Sequence, residues 1–343
     1  MMKQAMHFTE AFTRGITNKD YEYLVGAMQP IDAEYTENTF READRVKSQL
    51  AAGLPARITA EFDYQGSVTS DTHIRIYSDI DLLVLHGSFI SLDDGAQNTS
   101  PYEGNPIAEL IALRGTTTSV LRNKFPAADV ETSGGKAISL SGGSLARKID
   151  VIVGNWWDTE LWKQFRVKMA RGINVLDSKV PTRIKNKPFY HNFKLNEKDK
   201  KTGGLRKTIR LLKTLKYDAE QKVEMASYNI ASIAYNMSDA SLSVEPGAYL
   251  QLARNAESEL RRFINDQATR ESLLVPNGMR KVFGGTGATL SGLKALHKEL
   301  SDLLSDIRRT AAPGIIEFSE RLDTPSRRIW AESRPASVKA HSF

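Results

Sequence analysis

Two aspartates one residue apart, Asp79 and Asp81, stand at the head of an apolar run that includes Ile80 and Leu82-Leu83-Val84-Leu85 and has no turn residue. Such a run reads as a buried strand. Residues i and i+2 of a strand project to the same side, so the two carboxylates stand together while Ile80 turns to the opposite face. Unpaired carboxylates in these surroundings are costly. Held side by side they also repel, unless a divalent cation lies between them. A third aspartate repeats the pattern, because Asp150 interrupts the apolar strand Ile149, Val151, Ile152 and Val153. Three carboxylates on neighbouring strands form the oxygen-donor set of two-metal phosphoryl transfer. In that chemistry one ion activates a hydroxyl nucleophile and the other holds the leaving pyrophosphate. About a dozen residues before Asp79, the pair Gly66-Ser67 supplies what carboxylates cannot. Glycine lets the backbone approach a triphosphate closely, and backbone N–H groups with the serine hydroxyl can bind its oxygens. Each feature alone is common: an Asp-x-Asp is usually part of a solvated loop, and a lone aspartate can end a strand. The conjunction, with both aspartate sites in apolar strands, points to nucleotidyl transfer.

The elements that must position these groups follow from periodicity and turn chemistry. Residues 8–28 and 31–51 read as helices, the second capped by Asp32 and stopped by Gly53-Leu54-Pro55. Residues 57–64 alternate as a strand that enters Gly66-Ser67, and 79–86 form the next strand. A polar loop from Ser91 to Asn105 precedes a helix over 106–124. Strands over 128–132, 136–140 and 147–153, separated by Gly134-Gly135 and Gly142-Gly143, read as an antiparallel meander. From about Trp156 the pattern turns helical, over 158–170, 203–217, 224–238, 246–267 and 290–310. The expected class is α+β: a sheet with flanking helices, then a helical lobe, with the ligand cleft between them. The boundaries expected are 1–170 for the catalytic core with its N-terminal helices, 171–322 for a helical lobe completing a nucleotide pocket, and 323–343 for a C-terminal arm or tail.

Composition narrows the chemistry further. Hydrophobic residues make up 41% of the 343 residues, enough for a substantial core. No apolar run approaches the ~18 residues of a membrane span. The N-terminal stretch Met1-Met2-Lys3-Gln4-Ala5 lacks the apolar segment of a signal peptide. Cysteine is absent, which excludes disulfides and thiolate zinc sites and fits a cytoplasmic location. The six histidines lie at 7, 73, 86, 191, 297 and 341, without paired metal spacing. Oxygen ligands therefore favour Mg²⁺, two ions, with Mn²⁺ as the substitute. A net charge of +6 suits anionic ligands such as nucleotides.

The stretch "QGSVTSDTHIRIYSDIDLLVL", followed by Asp150, "GGLRKTIRLLKTLK" and "EMASYNIASIAYN", resembles the DNA-polymerase-β-like nucleotidyltransferase superfamily. Within it, the chain is most similar to the cGAS/DncV-like nucleotidyltransferases, relatives of cyclic GMP-AMP synthase and oligoadenylate synthase. The likeness covers roughly residues 30–310. It implies a polymerase-β-like sheet and Mg²⁺-dependent joining of NTPs into a cyclic di- or oligonucleotide. Such products are second messengers that activate an effector protein in bacterial anti-phage defence. It also implies catalytic and metal-binding roles for Asp79, Asp81 and Asp150, and triphosphate contacts from Gly66 and Ser67. One departure is plain: without cysteine, the zinc-binding insertion with which the animal synthase senses DNA has no counterpart.

The helical motifs bear a physical reading too. At 100° per residue Leu205, Ile209 and Leu212 share one face, and Arg206, Arg210 and Lys213 form an adjacent basic stripe. A solvated basic face is the ordinary meaning of such a stripe. The resemblance implies instead that Lys213, with Arg210 beside it, contacts phosphate. It likewise implies that Ser227 contacts phosphate and Tyr228 stacks on a base, against the plain alternative of core packing for Tyr228. The expected partners are NTP substrates and an effector reached through the product, with no membrane and no nucleic acid required. A monomer is expected. The main alternative is a nucleotidyltransferase that modifies a tRNA 3′ end or a protein side chain. A binding module with a relic site is the other, and three retained buried carboxylates argue against it.

Overall fold

The apolar run after Asp79 becomes an interior strand of a mixed sheet, seven-stranded among the described residues, in a computed structural model of the chain. The structure describes residues 19–74, 79–93, 101–285 and 287–310. The start of the helix expected over 8–28, the middle of the expected 91–105 loop and the expected 323–343 tail lie outside these residues. The chain divides into two compact units. One comprises Pro30–Asn196 and Pro276–Met279, and the other comprises Met1–Gln29, Glu197–Val275 and Arg280–Phe343.

In the sheet unit, β1 (Ala60–Gln65) pairs antiparallel with β2 (Ile80–Leu92), and β2 pairs parallel with β5 (Ile149–Asp158). Strands β3 (Asp129–Glu131) and β4 (Ala137–Ser141) complete the expected antiparallel meander against β5. The second half of β5 then pairs with β6 (Gly172–Asp177), which pairs with β7 (Thr182–Asn186). Alternation assigns the two faces. Ile80, Leu82 and Val84 of β2, with Ile149, Val151 and Val153 of β5, lie fully or almost fully buried. They share a core with Ala43, Val46 and Leu50 of α2 (Ala33–Gly53) and Leu110, Leu113 and Leu121 of α3 (Pro106–Lys124). Leu83, Leu85 and Ile152 face the other way and pack with Trp156, Ile173, Val175 and Phe189. Asp81 and Asp150 carry the parity of this second face, at the strand ends where its apolar packing begins.

Local chemistry explains the helix ends. Asp32 caps α2 by accepting from the amides of Glu34 and Tyr35 at 2.9 and 3.2 Å, as its position implied. Asn105 caps α3 in the same way, with Pro106 in its first turn. The expected helix over 158–170 is shorter than its pattern suggested. Only α4 (Glu160–Phe165) and a single 3₁₀ turn, Lys168–Ala170, occupy that span, because β5 runs on through Trp156 and Trp157 to Asp158. β6 and β7 then extend the sheet, so the sheet unit continues to Asn196 where the sequence suggested a boundary at 170.

The helical unit contains α1 (Lys19–Met28), most of the second half of α5 (Pro188–Thr202), α6 (Leu205–Asp218), α7 (Ser227–Tyr235), α8 (Asp239–Leu242), α9 (Tyr249–Asn265), α10 (Gln267–Ser272) and α11 (Leu290–Thr310). Helices α1, α6, α9 and α11 pack against one another. Their interior includes Leu24, Met28, Leu205, Ile209, Leu212, Leu260, Phe263 and Leu296, all without exposed surface. The apolar face read from the α6 period is thus the buried one. Among the described residues no helix is long and apolar enough to cross a membrane.

Candidate active site

Register brings the polar residues of four strands into one row across the sheet. In the parallel β2–β5 ladder Asp81 lies opposite Asp150. On one side Gln65 of β1 lies opposite Asp81, and on the other Ser139 of β4 lies opposite Asp150. Gln65 hydrogen-bonds the Asp81 side chain, and the Ser139 hydroxyl donates to Asp150 Oδ1. Asp79 precedes the first residue of β2, and its charge acts on Asp81. Lys148, two residues before Asp150, sends its ammonium between the outer carboxylates, 2.7 Å from Asp79 Oδ2 and 3.1 Å from Asp150 Oδ2. The structure thus brings the three predicted aspartates together, with a cation beside two of them.

The electrostatics follow from this arrangement. Asp81 keeps some accessible surface but is set deep among protein atoms. Burial, then the charges of Asp150 and Asp79, push its carboxyl from 3.8 up to about 7, with Gln65 and Lys148 pulling the other way. Burial opposes the charge on Lys148, yet its bonds to Asp79 and Asp150 outweigh that and hold its ammonium above the ordinary lysine range. Three like-charged oxygen donors, one with its proton affinity raised by burial and then by its neighbours' charges, fit a hard divalent cation. Among the described residues no three acidic or imidazole side chains already converge as a ready-made cage. The ammonium of Lys148 occupies the gap between two of the three instead.

Gly66 is where the turn after β1 meets this row. Its φ of +91° is one that L side chains rarely adopt, and a Cβ there would lie 2.7 Å from Asp81 Oδ2. The turn closes on its own carbonyls. Thr69 Oγ1 donates to Gly66 O at 2.9 Å, and the Thr72 amide donates to Ser67 O at 3.0 Å. In a trans peptide the C=O and the following N–H point in opposite directions, so the amides of Ser67 and Val68 face away from the turn interior. That is the presentation an anionic oxygen requires.

Helix α2 fixes the approach to β5. The two carboxylate oxygens of Glu42 accept from the amides of Ala146 and Arg147 at 3.0 and 3.1 Å. The Arg147 guanidinium lies 3.5 Å from the centroid of the Tyr35 ring. These contacts anchor the residues immediately before Lys148. Neither Lys148 nor the cross-strand partners Gln65 and Ser139 were among the sequence candidates. Lys148 had a legible signal, an opposite charge at i−2 from a strand aspartate. Gln65 and Ser139 needed the register.

The helical unit holds the other candidates. Lys213 is 3% exposed, and burial, followed by the charges of Lys216 and Arg210, lowers its ammonium to about 8. An anion beside that group would favour its charged form. Ser227 opens α7, with its hydroxyl 3.5 Å from the Tyr217 hydroxyl. Tyr228 is partly buried, and the Arg280 guanidinium stands 5.3 Å from its ring centroid. Arg280 is itself oriented by Asn229 Oδ1 at 2.7 Å and by the Lys281 carbonyl at 2.8 Å. Arg210 is 4% exposed, and its Nε donates to the Met28 carbonyl at 3.0 Å, which ties α6 to the end of α1. Arg206 is paired with Asp199 at 3.1 Å.

Comparison with known proteins gives a consistent set of likenesses. A family profile described as the cGAS/DncV-like nucleotidyltransferase C-terminal helical domain matches residues 194–305. The cyclic dinucleotide synthase CdnE of Yersinia aleksiciae is 35% identical over 291 residues, spanning 82% of this chain and 76% of its own length. A c-di-GMP synthase of Capnocytophaga granulosa is 29% identical over 320 residues, covering 85% of this chain and 88% of that protein. The solved structure of the STING-associated CdnE c-di-GMP synthase from Capnocytophaga granulosa superposes with a TM-score of 0.70 at 25% identity. It covers 90% of this chain and 93% of that one.

Proposed function

The chain belongs to the cGAS/DncV-like nucleotidyltransferases, and from that membership we propose that it condenses NTPs into a cyclic di- or oligonucleotide second messenger. The observation that carries the reading is the row Gln65–Asp81–Asp150–Ser139 with Asp79 beside it, set against the Gly66 turn. The reaction is attack by a 3′- or 2′-hydroxyl on the α-phosphorus of a donor NTP, with pyrophosphate leaving. A second attack within the linear intermediate closes the ring.

Asp79, Asp81 and Asp150 would hold the divalent metal, Mg²⁺ or Mn²⁺. When bound, the metal supplies charge neutralisation at the phosphates and acidifies the attacking hydroxyl. The chain's own groups do the positioning. Ser139 fixes one oxygen of Asp150 and Gln65 holds Asp81, so the carboxylates are oriented before substrate arrives. Asp150 is the group suited to assist the attacking hydroxyl. The outward amides and the hydroxyl of the Gly66-Ser67 turn bind triphosphate oxygens. In the helical unit, Lys213 and Ser227 are assigned phosphate contacts. Tyr228, backed by Arg280, is assigned a base-stacking face.

The association of the Capnocytophaga enzyme with STING supports the reading that the product acts on a downstream effector, as in anti-phage signalling. Mass spectrometry of the products formed from the four NTPs with Mg²⁺ tests the proposal. A cyclic species is expected. Linear products alone, or none, count against it.

A further inference from the structure

The proposed reaction leaves Lys148 without a task. Its ammonium nevertheless bonds both outer carboxylates, at 2.7 Å to Asp79 and 3.1 Å to Asp150. The two oxygens of Asp150 are divided: Oδ1 takes the Ser139 hydroxyl, and Oδ2 takes Lys148. Asp150 can therefore change the partner of one oxygen while Ser139 holds the other. The Lys148 side chain is 41% exposed, so its flexible stem has solvent to swing into. The backbone just before it is pinned by Glu42, and the Arg147 side chain is held against the Tyr35 ring, so neither needs to move. A bidentate arginine would be harder to displace than this single point charge.

We propose that Lys148 is a built-in placeholder cation. It neutralises Asp79 and Asp150 in the metal-free protein, releases them to an arriving divalent ion, and so sets the affinity for that ion. The inference rests on reading the three aspartates as metal ligands. It makes Lys148 a positioning residue for the site rather than a group that touches substrate.

Thermal unfolding of the full chain in EDTA and across a MgCl₂ titration tests it, using wild type, Lys148→Met, Lys148→Arg and Asp79→Asn. The wild type is expected to gain stability with MgCl₂, and Asp79→Asn to lose that gain. Lys148→Met is expected to melt lower in EDTA, to recover at saturating MgCl₂, and to reach its midpoint at about three- to tenfold less MgCl₂. Lys148→Arg should restore the EDTA melting temperature and raise the MgCl₂ midpoint above that of Lys148→Met. An equal drop for Lys148→Met with and without MgCl₂, or an unchanged midpoint, makes Lys148 an ordinary structural ion pair and overturns the inference alone. No MgCl₂ response in the wild type overturns the metal reading, and the inference with it.

Discussion

Replacing Gly66 with alanine puts the geometry of the site at risk in a calculable way. Its φ of +91° costs an alanine about 1–2 kcal/mol of backbone strain. The new Cβ would stand 2.7 Å from Asp81 Oδ2, where ordinary contact begins at 3.4 Å. The carboxylate must therefore retreat by about 0.7 Å, and a misplacement approaching 1 Å costs on the order of 10²-fold in rate. Gly247 provides the control. Its φ is +89°, so the strain is the same, but a Cβ there meets nothing within 4 Å. Urea unfolding should show both variants losing about 1–2 kcal/mol. Initial rates of pyrophosphate release should fall by about 10²-fold only in Gly66→Ala. Equal rates in the two variants would refute the claim that Gly66 is glycine to make room for Asp81.

Other perturbations separate the remaining roles. In the metal-free protein Asp81 holds its proton up to about pH 7, against 3.8 when unfolded, so folding takes up a proton between those values. Stability in EDTA should fall as pH rises through that window, by at most roughly 4 kcal/mol, and level off above it. Asp81→Asn should remove most of that slope in urea titrations at pH 5 to 8, and an unchanged slope would assign it to other groups. Lys213→Ala should weaken binding of all four NTPs alike in calorimetry, since the triphosphate is common to them. Tyr228→Ala should weaken purine nucleotides more than pyrimidines, because their larger π faces stack better. Unchanged affinities in both variants return these side chains to packing roles.

The sequence made the central strands legible because their apolar runs have no competing helical period, and the aspartates stood out against them. The same burial hid the rest of β5. Trp156 and Trp157 are 6% and 4% exposed on opposite faces, and a strand covered on both sides shows no alternation, so its end read as helix. β6 is broken by Asn174, and β7 is a short polar edge strand without a hydrophobic signature. Periodicity placed Arg210 beside the apolar face of α6. Its partner, the Met28 carbonyl, lies at the end of a helix far earlier in the chain, a contact no local pattern encodes. Gln65 and Ser139 were invisible for the same reason: they join Asp81 and Asp150 only through strand register.

The aspartate row is proposed to turn free NTPs into a cyclic product. Incubating the protein with α-³²P-labelled NTPs and MgCl₂, then digesting with phosphatase, measures that directly. Phosphatase-resistant label is expected without added nucleic acid, and is expected to be lost in Asp79→Asn and Asp81→Asn variants that still fold. Label that appears only when tRNA or a protein acceptor is supplied, and that ends on that acceptor, would contradict it.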